Sequence, residues 1–424
     1  MIGGTIQGMT GAPLPLDLLT LADIEAARSL LAGVVKTTPL IESRPLSEIT
    51  GTGAWLKCEN QQRAGSYKVR GAYTRISRLS EAERSRGVVA ASAGNHAQGV
   101  ALAAELLGAQ ATVFMPEGAP LPKVTATRGY GAAIEYAGTN VDDSLVAAQR
   151  FAERTGAVLI HPFDHPDVIA GQGTVALEIL DQLPSATTIV TAVGGGGLIS
   201  GIAVAAKALR PDIRVVGVQA AGAAAYPPSL AAGSPQKLDQ GVTIADGICV
   251  LRPGDLNFAH VSKLVDEVVT VTDEDLSAAL LVLLERHKMV VEPAGGAAFA
   301  ALLTGAYVPP ADGPVVAVLS GGNIDPMLLL RVIEHGLASA GRFLRLAVRC
   351  DDRPGELARL LGRIAELRAN VVEVGHSRQS PRLGFGQVEV ALSVETRGPD
   401  HSDVLIGTLR ENGYRVSLLA DATP

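Results

Sequence analysis

The chain has 424 residues, 47% of them hydrophobic and 19% charged, with a formal net charge of −7. That length allows two or three domains with substantial cores, and that balance suits a soluble globular protein rather than a disordered one. The negative charge leaves no basic face for nucleic acid, and 4% aromatic residues leave little to stack bases on.

The first residues, MIGGTIQGMTGAPLP, lack a basic stretch followed by an apolar run. They do not read as a signal peptide, and 1–18 is taken as an N-terminal extension. No uncharged apolar stretch reaches roughly 20 residues, the length that spans a bilayer, so no membrane association is expected. Cys58, Cys249 and Cys350 are far apart. They form neither a metal nor a redox pair, and an odd count gives no disulfide framework. A cytoplasmic protein without a bound metal is the natural expectation.

From 19 to 335, short β-rich runs alternate with alanine- and leucine-rich stretches. The strand-like runs are GVVAASA (Gly87–Ala93), ATVFMP (Ala111–Pro116), TIVTAVG (Thr188–Gly194), IRVVGVQ (Ile213–Gln219) and PVVAVLS (Pro314–Ser320), with AQGVALAAELLG (Ala97–Gly108) as an intervening helix. The alternation points to an α/β fold with parallel strands, whose ligands sit at the carboxyl ends of the strands. Glycine clusters lie just there, at Ala93-Gly94, Gly194–Gly197 and Gly321-Gly322.

From 342 to 420 the order becomes strand (FLRLAVRC), turn (DDRPG), helix, strand (NVVEVGHS), strand (GQVEVALSVET), helix, strand (YRVSLL). Leu357, Leu360, Leu361, Ile364 and Leu367 recur at helical spacing behind Pro354-Gly355. The βαββαβ order is the ferredoxin-like pattern, in a segment of domain size.

Four strings carry chemistry. In Ser66-Tyr67-Lys68-Val69-Arg70-Gly71, the lysine sits among small and apolar residues at a helix start. Desolvation lowers a lysine's pKa and suits it to form a Schiff base. Ser92-Ala93-Gly94-Asn95-His96 joins a strand to a helix. Its N–H groups suit a carboxylate, though an ordinary turn capped by Ser92 or Asn95 would look the same. Gly194-Gly195-Gly196-Gly197-Leu198 offers adjacent N–H groups to a phosphate, and four glycines exceed what a turn requires. It matches neither a dinucleotide fingerprint nor a P-loop. Ser320-Gly321-Gly322-Asn323 ends a strand, where Ser320 could meet a ring nitrogen or simply cap a helix.

With these strings together, the region resembles the fold-type II pyridoxal-phosphate enzymes, specifically the threonine dehydratases (threonine ammonia-lyases) and their serine racemase relatives. The matching strings, in the family's order, are SYKVRGAY, SAGNHAQG, IAGQGT, VGGGGL, TIADG, VEPAGG and LSGGN. The resemblance implies a tryptophan synthase β-like fold of two parallel-sheet subdomains and pyridoxal 5'-phosphate as cofactor. It implies that Lys68 holds the cofactor and moves the α-proton, that Asn95 binds the ring hydroxyl, that Gly194, Gly195, Gly196, Gly197 and Leu198 bind the phosphate, and that Ser320 faces the ring nitrogen. It places the substrate among Ser92, Ala93, Gly94, His96, Gly247 and Glu292. Serine at the ring nitrogen makes a weaker electron sink than aspartate and favours β-elimination over longer-lived carbanions.

Two positions depart from the serine racemases. Those carry a serine as second acid/base where this chain has Ala93, and acidic metal ligands where it has Gln219 and Ala225. The tail resembles an ACT domain, a regulatory module of amino-acid enzymes, with DDRPGEL as its helix-start turn. Asp352, Arg353, Pro354 and Gly355 are its candidate effector residues.

The expected function is deamination of threonine to 2-oxobutanoate and ammonia, with serine as second substrate, in a homo-oligomer (tetramer or dimer) under allosteric amino-acid control. Biosynthesis of isoleucine and catabolism of threonine are both open. Serine ammonia-lyase, serine racemase and β-replacement synthase are the alternatives within the superfamily. An inactive amino-acid-binding regulator is the alternative of another class.

Overall fold

Continuous apolar runs, not alternating ones, make the strands of the N-terminal region. VVAA at Val88–Ala91 and VVAV at Val315–Val318 are buried at every residue, as parallel strands covered on both faces must be. The computed structural model describes residues 18–339, 341–378 and 383–419, so all but the last residue of the expected extension lies outside the described residues.

Leu40–Glu42 (β1) and Ala54–Lys57 (β2) pair antiparallel. The chain then builds a separate sheet from Val88–Ala91 (β3), Ala111–Met115 (β4), Ala133–Tyr136 (β5) and Val158–Leu159 (β6). It returns with Thr188–Ala192 (β7), Arg214–Ala220 (β8), Glu267–Val271 (β9) and Val315–Val318 (β10). The small sheet runs β5-β4-β3-β6, all parallel. The large sheet runs β1-β2-β10-β7-β8-β9, parallel except at β1. The five predicted strand runs are β3, β4, β7, β8 and β10.

Each sheet has its own core. Val88, Ala90 and Val113 pack under Ala97, Val100, Ala101 and Ala104 of the helix Asn95–Leu106. In the large sheet Ile189, Val215, Val316 and Val318 pack with Ile199 and Ile202 of the helix Gly197–Leu209. Small residues let helices approach closely. A Cβ on Gly171, in the helix Pro166–Gln182, would lie 2.5 Å from the Arg70 carbonyl oxygen, so only glycine admits the helix Lys68–Ser77 at that distance.

The chain divides into two compact units, the first ending at Asp325 and the second beginning at Pro326. The helix Pro326–Ser339 clusters with the second unit, whereas the domain boundary expected from the sequence falls inside that helix. The second unit continues with Phe343–Asp351 (β11), the helix Glu356–Glu366, Asn370–Ser377 (β12), Gln387–Glu395 (β13), the helix Pro399–Glu411 and Arg415–Leu418 (β14). Its antiparallel sheet runs β12-β13-β11-β14. Val388, Val390, Leu392 and Val394 alternate inward along β13, meeting Leu360, Ile364, Leu405 and Leu409 of the two helices. This is the βαββαβ arrangement expected from the sequence.

Candidate active site

A cavity of about 1130 Å³ opens in the first unit at the carboxyl ends of β3, β7 and β10. Lys68, Ser92, Ala93, Gly94, Asn95, His96, Gly194, Gly195, Gly196, Gly197, Leu198, Gly247, Glu292 and Ser320 all line it. Every site residue predicted for the N-terminal region is therefore gathered around one space, although they span more than half of the chain.

Lys68 begins the helix Lys68–Ser77. Its Nζ donates to the Pro162 carbonyl oxygen at 2.9 Å. Burial lowers its pKa to about 8, against the opposing pull of the Glu292 carboxylate. Glu292 is itself buried, and its carboxyl is raised to about 7 by burial and by Asp246, while Lys123, Asn95 and Lys68 hold it down. Lysine and glutamate thus sit with their pKa values drawn toward one another, an arrangement in which either can carry a proton near neutrality.

The turn at Asn95 is held from both sides. Its Nδ2 donates to Glu292 Oε1, and its Oδ1 accepts from Asn323 Nδ2 at 2.8 Å. Asn323 also donates to the Ala64 carbonyl oxygen at 2.7 Å. One N–H of the Asn95 amide remains for a ligand. Gly94 is the N-cap of the helix Asn95–Leu106, with no side chain capping it; Ser92 Oγ instead accepts from Gly94 N at 3.1 Å. The helix start therefore keeps free N–H groups at the cavity wall. The His96 ring is engaged: burial and the nearby Lys68 push its pKa down to about 3, and the neutral ring donates Nε2–H to the Ile160 carbonyl oxygen at 2.8 Å.

The glycine turn repeats this design. Gly196, at φ +108°, is the N-cap of the helix Gly197–Leu209, again without a side-chain cap. A Cβ on Gly195 would overlap the Phe163 ring, and one on Gly196 would overlap the Tyr226 hydroxyl. Glycine is required here by contact and by conformation together. Ser320 is fixed through its backbone, which accepts from Tyr67 N at 3.2 Å and donates to the Gly295 carbonyl oxygen at 3.2 Å.

Sequence reasoning missed two features. Asn323 stood in a matching string, but only the fold shows it gripping Asn95. Lys123, buried on the helix Leu121–Gly129, pairs with Asp246 at the cavity wall. A single lysine and a single aspartate 123 positions apart carry no local signal. Among the described residues there is no cluster of three or more His, Cys, Asp or Glu side chains that could hold a metal. Gln219 and Ala225 are both buried.

The candidate effector turn lies in the second unit. Gly355 takes φ +88° as the uncapped N-cap of the helix Glu356–Glu366. The Asp352 carboxylate is already engaged, accepting from Arg378 Nε at 2.8 Å and Nη2 at 3.0 Å. Arg353 lies 3.8 Å from Asp351.

A half-buried lysine of lowered pKa shares its cavity with two uncapped helix starts, which suits an enzyme whose cofactor and substrate present anions at two points, and the comparisons agree. The chain belongs to the pyridoxal-phosphate dependent enzymes, matching that family over residues 31–321. Among its relatives is the L-threonine ammonia-lyase of Thermotoga maritima, 47% identical over 403 residues, which span 95% of this chain and 100% of that one. Similar solved structures include the processed form of threonine deaminase isoform 2 from Solanum lycopersicum, at 35% identity and a TM-score of 0.71, covering 77% of this chain and 99% of that one. Maize serine racemase is similar at 38% identity and a TM-score of 0.71, covering 76% and 98%. The residues in place fit pyridoxal phosphate: an amine of lowered pKa for its aldehyde, a glycine cradle at a helix start for its phosphate, and a buried serine and a half-buried asparagine for its ring.

Proposed function

We propose that the protein converts threonine to 2-oxobutanoate and ammonia, and serine more slowly to pyruvate and ammonia. The observation that carries this reading is the convergence of Lys68 and two uncapped helix N-termini on one cavity. Similarity to L-threonine ammonia-lyase along 95% of the chain supports the choice of substrate.

Bound pyridoxal phosphate supplies an electron sink that acidifies the α-proton of an attached amino acid. The chain's own residues do the rest. Lys68 would hold the cofactor through its aldehyde, and its free amine would take the proton from the substrate's Cα. The N–H groups of the Ser92–His96 turn that Phe114 and Ser92 leave free would hold the substrate carboxylate at a positive helix end. The N–H groups of Gly194–Leu198 hold the phosphate. Asn95, braced by Glu292 and Asn323, would donate to the ring oxygen. Ser320, Gly247 and Glu292 line the same cavity; Ser320 would meet the ring nitrogen, and Gly247 and Glu292 would border the space for the substrate side chain. The β-hydroxyl leaves as water, and hydrolysis of the released enamine returns that water and frees ammonia. The reaction balances without an external oxidant or reductant. Ala93 offers no proton-carrying group, which disfavours racemisation.

The second unit is read as an ACT-type sensor whose turn 352–355 receives an amino-acid effector, with the whole chain acting as a cytoplasmic homo-oligomer. Its βαββαβ order supports the first reading. Among the described residues no helix is long and apolar enough to cross a membrane. Three free cysteines, two of them buried, suit a reducing compartment. The test is direct: the purified protein, supplied with pyridoxal phosphate, should release 2-oxobutanoate from L-threonine faster than pyruvate from L-serine. Formation of D-serine without ammonia would overturn the assignment in favour of a racemase.

A further inference from the structure

The glycine turn is backed by two side chains that the proposed mechanism does not use. Gln219, near the end of β8, is fully buried. Its Nε2 donates to the Val193 carbonyl oxygen at 3.4 Å, and its Oε1 accepts from Tyr226 N at 2.8 Å. Tyr226 begins the helix Tyr226–Ala232 and is also fully buried. Its hydroxyl donates to the Gly195 carbonyl oxygen at 3.2 Å, which also accepts from Gly254 N at 3.2 Å.

The peptide bonds here are trans, so the C=O and N–H of one peptide unit point in opposite directions. Fixing the Val193 carbonyl therefore turns the Gly194 N–H the other way. Fixing the Gly195 carbonyl does the same to the Gly196 N–H. Gly194 and Gly196 line the cavity, and Gln219 and Tyr226 stand behind them.

We propose that Gln219 and Tyr226 are positioning residues, a clamp that aims the Gly194 and Gly196 N–H groups at the phosphate of the cofactor. The proposal rests on the reading of the glycine turn as the phosphate site. Both bonds are long for their type, 3.2 Å from the hydroxyl and 3.4 Å from the amide, so each arm contributes one modest hydrogen bond. The fit is close, since a Cβ at Gly196 would overlap the Tyr226 hydroxyl. Burial raises the tyrosine's pKa, which keeps the hydroxyl a donor at all working pH values. Gln219 links the two arms, holding one carbonyl directly and the backbone of Tyr226 by its other end.

The clamp is separable from a general structural role by comparing two ligands of the full-length apoprotein, pyridoxal phosphate and pyridoxal. Wild type should prefer the phosphorylated ligand in a spectroscopic titration. Tyr226→Phe keeps the ring and removes the hydroxyl. It should weaken pyridoxal phosphate about tenfold, the equivalent of one hydrogen bond, and leave pyridoxal unchanged. A loosened fold would weaken both ligands equally, and that result would overturn the clamp. So would an undiminished preference for the phosphate. Gln219→Met keeps the side-chain bulk, removes both hydrogen bonds and should shift the preference in the same direction; it decides the matter if Tyr226→Phe does not fold. A wild type that fails to distinguish the two ligands would refute the glycine turn as the phosphate site, and the clamp with it.

Discussion

At Lys68, burial and the Glu292 carboxylate pull in opposite directions, and burial prevails, leaving a pKa of about 8. An amine must be neutral to attack an aldehyde. The rate at which the apoprotein takes up pyridoxal phosphate should therefore rise with pH, about tenfold per unit below the pKa, and level off above about 8. Stopped-flow absorbance of the bound cofactor measures it; a rate independent of pH through that range would refute the assignment. Glu292 favours the charged ammonium, so Glu292→Gln should move the levelling point to lower pH, and a move upward would contradict the sign. Lys68→Ala removes the anchor and the proton acceptor at once. Turnover of threonine should fall by at least about a thousandfold, and borohydride should no longer fix the cofactor to the chain, as read by mass spectrometry.

One element, the helix Lys68–Ser77, carries that lysine, and buried charge holds it in register. Arg70 donates to both oxygens of Glu59 at 2.8 Å, and its Nη1 lies 2.7 Å from Glu178 Oε1. Lys57 Nζ pairs with the same Glu178 at 2.6 Å. Arg70, Glu59 and Lys57 are fully buried. Replacing Arg70 by Leu would leave the buried Glu59 without a cation and Glu178 with Lys57 alone, and should destabilise the first unit by about 3–5 kcal/mol, seen as a lower midpoint in thermal unfolding of the full chain. This network was not legible in the sequence, where four charges scattered over 57–178 read as ordinary surface residues. The chemistry-bearing turns were legible because each is a contiguous string with its glycine at a strand-to-helix junction. Strands β3, β7 and β10 were legible because burial on both faces demands unbroken apolar runs. Strands β5 and β9 were not singled out: both lie at sheet edges with mostly unburied residues, and AIEY and EVVTV carry no such run. Tyr226, Asn323 and the Lys123–Asp246 pair act across the fold, where local pattern gives no signal.

On the scale of the whole chain, the two units have separate cores. Ile189, Ile199 and Val316 serve the first, and Leu346, Leu392 and Leu405 serve the second. All of the candidate chemistry lies in the first, since the cavity lining ends at Ser320. A chain ending at Asp325 should therefore fold and deaminate threonine, whereas one ending at Ser339 would leave the helix Pro326–Ser339 without the unit it clusters with. If the second unit senses an amino acid, the full chain must bind that effector with different affinity in its more and less active states. Isoleucine or valine should then shift the rate or the melting temperature of the full chain and leave the chain ending at Asp325 unaffected. Because Asp352 is engaged with Arg378, an effector amine that uses this carboxylate must compete with the guanidinium. Arg378→Ala should then tighten effector binding, measured by calorimetry on the full chain. No response of the full chain to any amino acid would refute the sensing role and leave the second unit with a structural one. Weaker binding in Arg378→Ala would mean that the guanidinium itself receives the effector's carboxylate.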